Sequence, residues 1–90
     1  MSKHQLLMER TAKLVATASE GVVSEAKALQ SGVTLTEQGL TSLAYLRLID
    51  SVETEFGVYI DLEEDTGFLQ SVEGLVNYMV EQGVSAPSEA

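Results

Sequence analysis

Ser42-Leu43-Ala44-Tyr45-Leu46-Arg47-Leu48-Ile49-Asp50-Ser51-Val52-Glu53-Thr54-Glu55-Phe56, followed by Gly57, carries the strongest periodicity in the chain. At about 100° per residue, Tyr45, Leu48, Ile49, Val52 and Phe56 fall on one side, and Ala44, Arg47, Asp50, Ser51 and Thr54 on the other. The spacing predicts an amphipathic helix from Ser42 to Phe56, one face packed and the other turned outward. Gly57 is the expected stop. Val58-Tyr59-Ile60 then alternates like a short extended segment with Val58 and Ile60 inward.

One apolar stripe needs others to cover it. Gln5 to Ser19 supplies the first, because Leu7, Thr11, Leu14, Val15 and Ala18 recur at helical spacing while Glu9, Arg10 and Lys13 take the other side; Gly21 is expected to end it. Val22 to Leu40 reads as a long loop with some helical turns around Val22, Val23, Ala26 and Leu29. Ser31-Gly32 and Gly39 break its regularity, and Val33 and Leu35 are the apolar residues available to tie it down. Leu62 to Leu69 is short and acidic, one helical turn or two. Ser71 can cap a last helix whose stripe is Val72, Leu75, Val76 and Met79, with Gly74 a weak point inside it. The expectation is an all-α fold, a small four-helix bundle with a long first loop and a short third helix. Residues 1–82 form one domain and 83–90 a flexible C-terminal tail. Leu14, Phe56, Val58, Ile60, Val72 and Leu75 are the expected core.

Ninety residues with 44% apolar side chains suffice for one modest core and are too few for a large enzyme with a deep cleft. There is no cysteine, hence no disulfide framework, no thiolate nucleophile and no cysteine-based metal site. Met1-Ser2-Lys3-His4-Gln5 lacks the pattern of a signal peptide, and no apolar run approaches the ~18 residues of a membrane span, so a cytoplasmic address is expected. The formal charge of −9 is unevenly spread. Residues 31–90 carry eleven acids against one base, Arg47, and Asp50 to Asp65 holds seven acids and no base. Such a field repels phosphate backbones and anionic lipid, which disfavours nucleic acid and membrane as partners, and it steers basic protein surfaces inward.

The stretch Leu35-Thr36-Glu37-Gln38-Gly39-Leu40-Thr41-Ser42-Leu43 ends the loop and opens the strongest helix. A serine there is ordinarily a cap. The alternative is a serine carrying a modification, since an anion at that spot faces free backbone N–H groups and the positive end of the helix dipole.

Gly39-Leu40-Thr41-Ser42-Leu43 resembles the Gly-x-Asp-Ser-Leu motif that opens the second helix of the acyl and peptidyl carrier proteins, a family of four-helix bundles. The resemblance continues through Phe56-Gly57-Val58-Tyr59-Ile60 and into Ser71-Val72 with Leu75 and Tyr78. It covers roughly 35–78 in register, apart from a one-residue length difference near Gly67. The resemblance implies a non-catalytic carrier whose Ser42 hydroxyl receives 4′-phosphopantetheine from coenzyme A, the terminal thiol then holding cargo as a thioester. A chain without cysteine has no thiol of its own for that chemistry. The implied partners are a phosphopantetheinyl transferase, an acyltransferase or adenylation-type loading enzyme, and downstream synthase enzymes with basic docking surfaces, acting on a monomer. Thr41, Leu43, Leu46, Arg47, Asp50 and Glu53 are the candidate contacts. Packing is the plainer reading for Leu46, and Leu43 divides evenly between packing and contact. Thr41 stands where the family usually has an acid. Ala44 and Arg47 likewise replace acids on the outward face of that helix, which disfavours primary fatty acid synthesis and favours polyketide or nonribosomal peptide pathways. An acidic helical interaction module that is never modified is the alternative.

Other motifs fail on their chemistry. Asp61-x-Glu63-x-Asp65 starts like an EF-hand loop, but Thr66 stands where glycine is needed and Val72 where the bidentate glutamate belongs, so no metal is expected. Ser42 as a hydrolytic nucleophile needs a base, and the one histidine is His4, near the N-terminus.

Overall fold

The computed structural model describes residues 3–30, 32–61 and 67–84. Among them the chain is all-helical: α1 (Lys3–Ala18), α2 (Glu25–Ala28), α3 (Ser42–Phe56) and α4 (Val72–Glu81), with a 3₁₀ turn over Gly67–Gln70 leading into α4. No strand forms among the described residues. Of the expected turns over 62–69, those at 62–66 lie outside the described residues.

α1 is the hub, packing against α2, α3 and α4. Leu7, Thr11, Ala12 and Val15 on its inner face are completely enclosed. Arg10 donates to Glu55 through Nε (3.1 Å) and Nη2 (3.0 Å), a two-point pair that crosses from α1 to the end of α3. Glu20, just beyond α1, reaches Arg47 in the first half of α3. The two helices therefore run antiparallel.

The expected core holds for Val58, Ile60, Val72 and Leu75, all buried. Leu14 and Phe56 are only half-buried, packing against its edge. Leu14 sits about 100° around α1 from the enclosed Val15, and Phe56 is the last residue of α3, so each flanks the packed stripe. Ala44, expected outward, is buried: it precedes Leu48 by one turn and shares its face.

The end of α1 also differs from expectation. Gly21 N–H bonds Ala16 O (2.9 Å) and Glu20 N–H bonds Thr17 O (3.1 Å), the paired bonds of a Schellman motif. The left-handed cap position thus belongs to Glu20, φ 55°, rather than to Gly21. Within the long loop, Ser24 caps the single turn of α2 by accepting from Lys27 N–H (3.2 Å). Leu35 is the anchor expected, fully buried with its N–H on Gln70 O (2.9 Å). Val33 is exposed, and Val23, Ala28 and Leu40 do the rest of the anchoring.

Ser71 caps α4 as expected, its Oγ accepting from Gly74 N–H (3.0 Å), and Val72, Leu75, Val76 and Met79 form the buried stripe. Gly74 is a packing requirement as well as a weak helix former: a Cβ there would lie 2.5 Å from the carbonyl oxygen of Phe68. That approach lets Phe68 stack on Tyr78 (centroids 4.1 Å, planes 5° apart), whose hydroxyl donates to Tyr59 O (3.0 Å). Beyond α4, Val84 N–H bonds Met79 O (3.0 Å) and its side chain is half-buried, so the packed chain continues past the expected boundary at 82. The expected flexible tail otherwise falls on 85–90, outside the described residues.

Candidate functional site

The approach to Ser42 is a helical turn stopped at both ends. Thr34 Oγ1 accepts from Glu37 N–H (3.1 Å) while Glu37 Oε2 accepts from Thr34 N–H (3.4 Å), a reciprocal capping box. At the other end Gly39 N–H bonds Thr36 O (3.0 Å) and Leu40 N–H bonds Leu35 O (3.0 Å). Gly39 holds φ 110°, a value side-chain-bearing residues rarely adopt, and its α-carbon faces Val22 Cγ1 at 3.2 Å from where a Cβ would stand. The Thr36 and Tyr45 hydroxyls, 3.3 Å apart, tie the turn to α3.

Thr41 then takes the cap. Its backbone is extended (φ −81°, ψ 168°) and its Oγ1 accepts from Ala44 N–H at 3.2 Å. Capping, the ordinary reading of Ser42, therefore passes to its neighbour. Ser42 is the first residue of α3, exposed, with no hydrogen bond from its hydroxyl to any described residue.

Around it lies an apolar rim. Leu43, Leu46 and Asp50 follow at helical spacing on the outward side of α3, with Leu43 58% and Leu46 56% exposed. Packing of Leu46 is thus overturned: two residues before Leu48, it lies about 160° around the helix from it, beyond the edge of the stripe marked by Ile49. Val22, 58% exposed and lying against Gly39, joins the rim from the turn after α1. Sequence reasoning did not place Val22 here, because nothing local signals a contact between residues so far apart in the chain.

The charges are partly committed within the molecule. Arg47 Nη1 lies 3.7 Å from Glu20 Oε1, both side chains exposed, so Arg47 is not the isolated cation that its neighbours in sequence suggest. Glu53 is half-buried and its Oε2 accepts from Ile60 N–H (2.9 Å), holding the extended segment. Asp50 is exposed.

Among the described residues no base lies within hydrogen-bonding reach of the Ser42 hydroxyl, and His4 sits in the first turn of α1, toward the end of the helix pair marked by Arg10 and Glu55 and away from Ser42. Among the described residues no cluster of three or more His, Asp or Glu is arranged to hold a metal ion, and Glu63 and Asp65 of the EF-hand-like stretch lie outside those residues. No helix among them is long and apolar enough to cross a membrane. Comparison with models of known protein families, with curated proteins and with solved structures finds no match.

Proposed function

We propose that the chain is an acyl or peptidyl carrier of the acyl-carrier bundle type, loaded at Ser42. The observation that carries this reading is the division of labour between two adjacent hydroxyls. Thr41 satisfies the helix end, which leaves the Ser42 hydroxyl exposed and unbonded at the start of α3. A group attached at Ser42 Oγ displaces no hydrogen bond of the fold. Its phosphodiester charge would meet the positive end of the α3 dipole, a placement worth about 0.3–1 kcal/mol at an exposed helix end.

The residues present fit 4′-phosphopantetheine, whose thiol when bound supplies the thioester chemistry that a chain without cysteine lacks. In the loading step Ser42 Oγ forms a bond to phosphorus as the pyrophosphate bond of coenzyme A breaks. Adenosine 3′,5′-bisphosphate leaves, and the serine proton passes to the transferase. Everything catalytic then belongs to partner enzymes: the phosphopantetheinyl transferase, an acyltransferase or adenylation-type loading enzyme, and downstream synthases. Leu43 and Leu46, joined by Val22, form the apolar contact beside Ser42, with Thr41, Arg47, Asp50 and Glu53 around it. With Ala44 buried, Arg47, paired with Glu20, is the one residue on this face that disfavours the basic partners of primary fatty acid synthesis. It supports acyl or aminoacyl cargo of a polyketide or nonribosomal peptide pathway.

Intact mass tests the proposal. Incubation with coenzyme A and a broad-specificity phosphopantetheinyl transferase adds one phosphopantetheine to the wild-type chain and none to Ser42→Ala. An unmodified wild-type chain sinks the carrier reading and leaves the acidic interaction module in its place. Modification persisting in Ser42→Ala moves the site elsewhere.

A further inference from the structure

We infer that Tyr45 is a positioning residue for modification of Ser42, through its hydrogen bond to Thr36; the inference rests on the carrier reading above. Three observations lead there. The Thr34–Gly39 turn keeps its shape by its own hydrogen bonds, since both ends are closed internally. Its two flanks are anchored by buried leucines, Leu35 fully and Leu40 at 3% exposure. Between these anchors the crest, Thr36 to Gly39, rises to the surface immediately before Ser42, and the side-chain tie from that crest to α3 is the 3.3 Å pair of Thr36 Oγ1 and Tyr45 Oη.

Tyr45 is placed for this by helix geometry. It is one turn along α3 from Thr41, with Tyr45 N–H on Thr41 O at 2.9 Å, so its ring leans back over the helix start. The ring is half-buried against the core while the hydroxyl reaches the crest. A rigid aromatic with one polar tip fixes the crest relative to the first turn of α3. An enzyme approaching Ser42 meets this crest and the Leu43–Leu46 rim together, so an unclasped crest reduces the fraction of molecules ready to bind and raises the apparent dissociation constant in proportion.

The full-length protein is assayed with coenzyme A and a broad-specificity phosphopantetheinyl transferase, comparing wild type, Tyr45→Phe, Thr36→Val, the double variant and Thr36→Ser. Tyr45→Phe and Thr36→Val each raise KM for the carrier by about three- to tenfold, the factor one ordinary hydrogen bond commands, with kcat retained. The double variant is no worse than either single one, because both remove the same bond. Thr36→Ser, which keeps the hydroxyl, restores the wild-type KM. Amide exchange at Gly39 and Leu40, whose bonds lie within the turn, stays as in wild type, and the melting temperature stays close to it, so the KM effect is not loss of the turn itself. A KM unchanged in both single variants, effects that add in the double, or a loss confined to kcat overturns the inference while wild-type modification keeps the carrier reading intact. A wild type that is not modified at all overturns the carrier reading and this inference with it.

Discussion

Exchanging the roles of two neighbouring hydroxyls is the sharpest test of the site. Thr41→Ala removes the acceptor that holds Ala44 N–H at 3.2 Å, and loss of such a cap costs about 0.5–2 kcal/mol. Thr41 is exposed but Ala44, whose N–H is freed, is buried, so the upper half of that range, about 1–2 kcal/mol, is expected. Ser42→Ala removes a hydroxyl with no partner from an exposed helix position, where alanine is the better helix former, and should leave stability within about 0.5 kcal/mol of wild type. Thr41→Asp keeps a good capping acceptor and adds a negative charge at the positive end of α3, so it should match or exceed wild type by about 0.3–1 kcal/mol at low salt, the gain fading in high salt. Urea unfolding of the three variants followed by far-ultraviolet circular dichroism measures all of this, with the urea slope expected unchanged. A Ser42→Ala variant that costs as much as Thr41→Ala would show that Ser42 is the cap and that its hydroxyl is not free for modification.

Further expectations follow from contacts elsewhere in the fold. Gly74→Ala should destabilise by about 1–3 kcal/mol in urea melts, because the contact with Phe68 O outweighs the ~1 kcal/mol that alanine ordinarily adds to a helix interior; a more stable variant would refute the close approach. Thr11→Val should raise stability by about 1–2 kcal/mol, since the Thr11 hydroxyl is fully buried without a partner, and an unchanged or lower midpoint would show that it is satisfied. The hydrogen bond and charge of Glu55 hold the Arg10 guanidinium above its ordinary pKa. A group raised on folding contributes stability below its unfolded value and loses it as pH rises through the folded one, so the difference between wild type and Arg10→Gln should stay level from neutral pH to about pH 10. Melts at several pH values across that window check it, and a steady decline would place the linkage on another group.

α3 was legible end to end because its signals are local: a stripe at helical spacing, a hydroxyl pair in front and Gly57 behind, which closes it at φ 67° with its N–H on Glu53 O. The inward turn of Val58 and Ile60 and the stripe of α4 were legible for the same reason. Which of Thr41 and Ser42 caps was not, since adjacent hydroxyls offer the same chemistry and helix boundaries read from sequence slip by a residue. Ala44 and Leu46 were misplaced because periodicity locates the centre of a buried arc better than its width, and a small residue such as Ala44 says little about its side. The pairs Arg47–Glu20 and Arg10–Glu55 and the contact of Val22 with Gly39 are tertiary, with no trace in local pattern. Glu20 at the left-handed position of α1 was hidden by the glycine that follows it.

The Thr34–Gly39 turn also bears on how the chain reaches its fold. Its closing bonds join residues no more than five apart, so it can form on the timescale of a short helix or loop, before distant segments meet. The bond from Leu35 N–H to Gln70 O joins residues far apart in sequence and must await closure of the intervening chain. The two ends of one small turn therefore belong to different stages of folding. In refolding followed by pulsed hydrogen labelling, the Leu40 amide should be protected early and the Leu35 amide only when α4 docks, which makes Leu35 a reporter of assembly for a segment whose interior is already native.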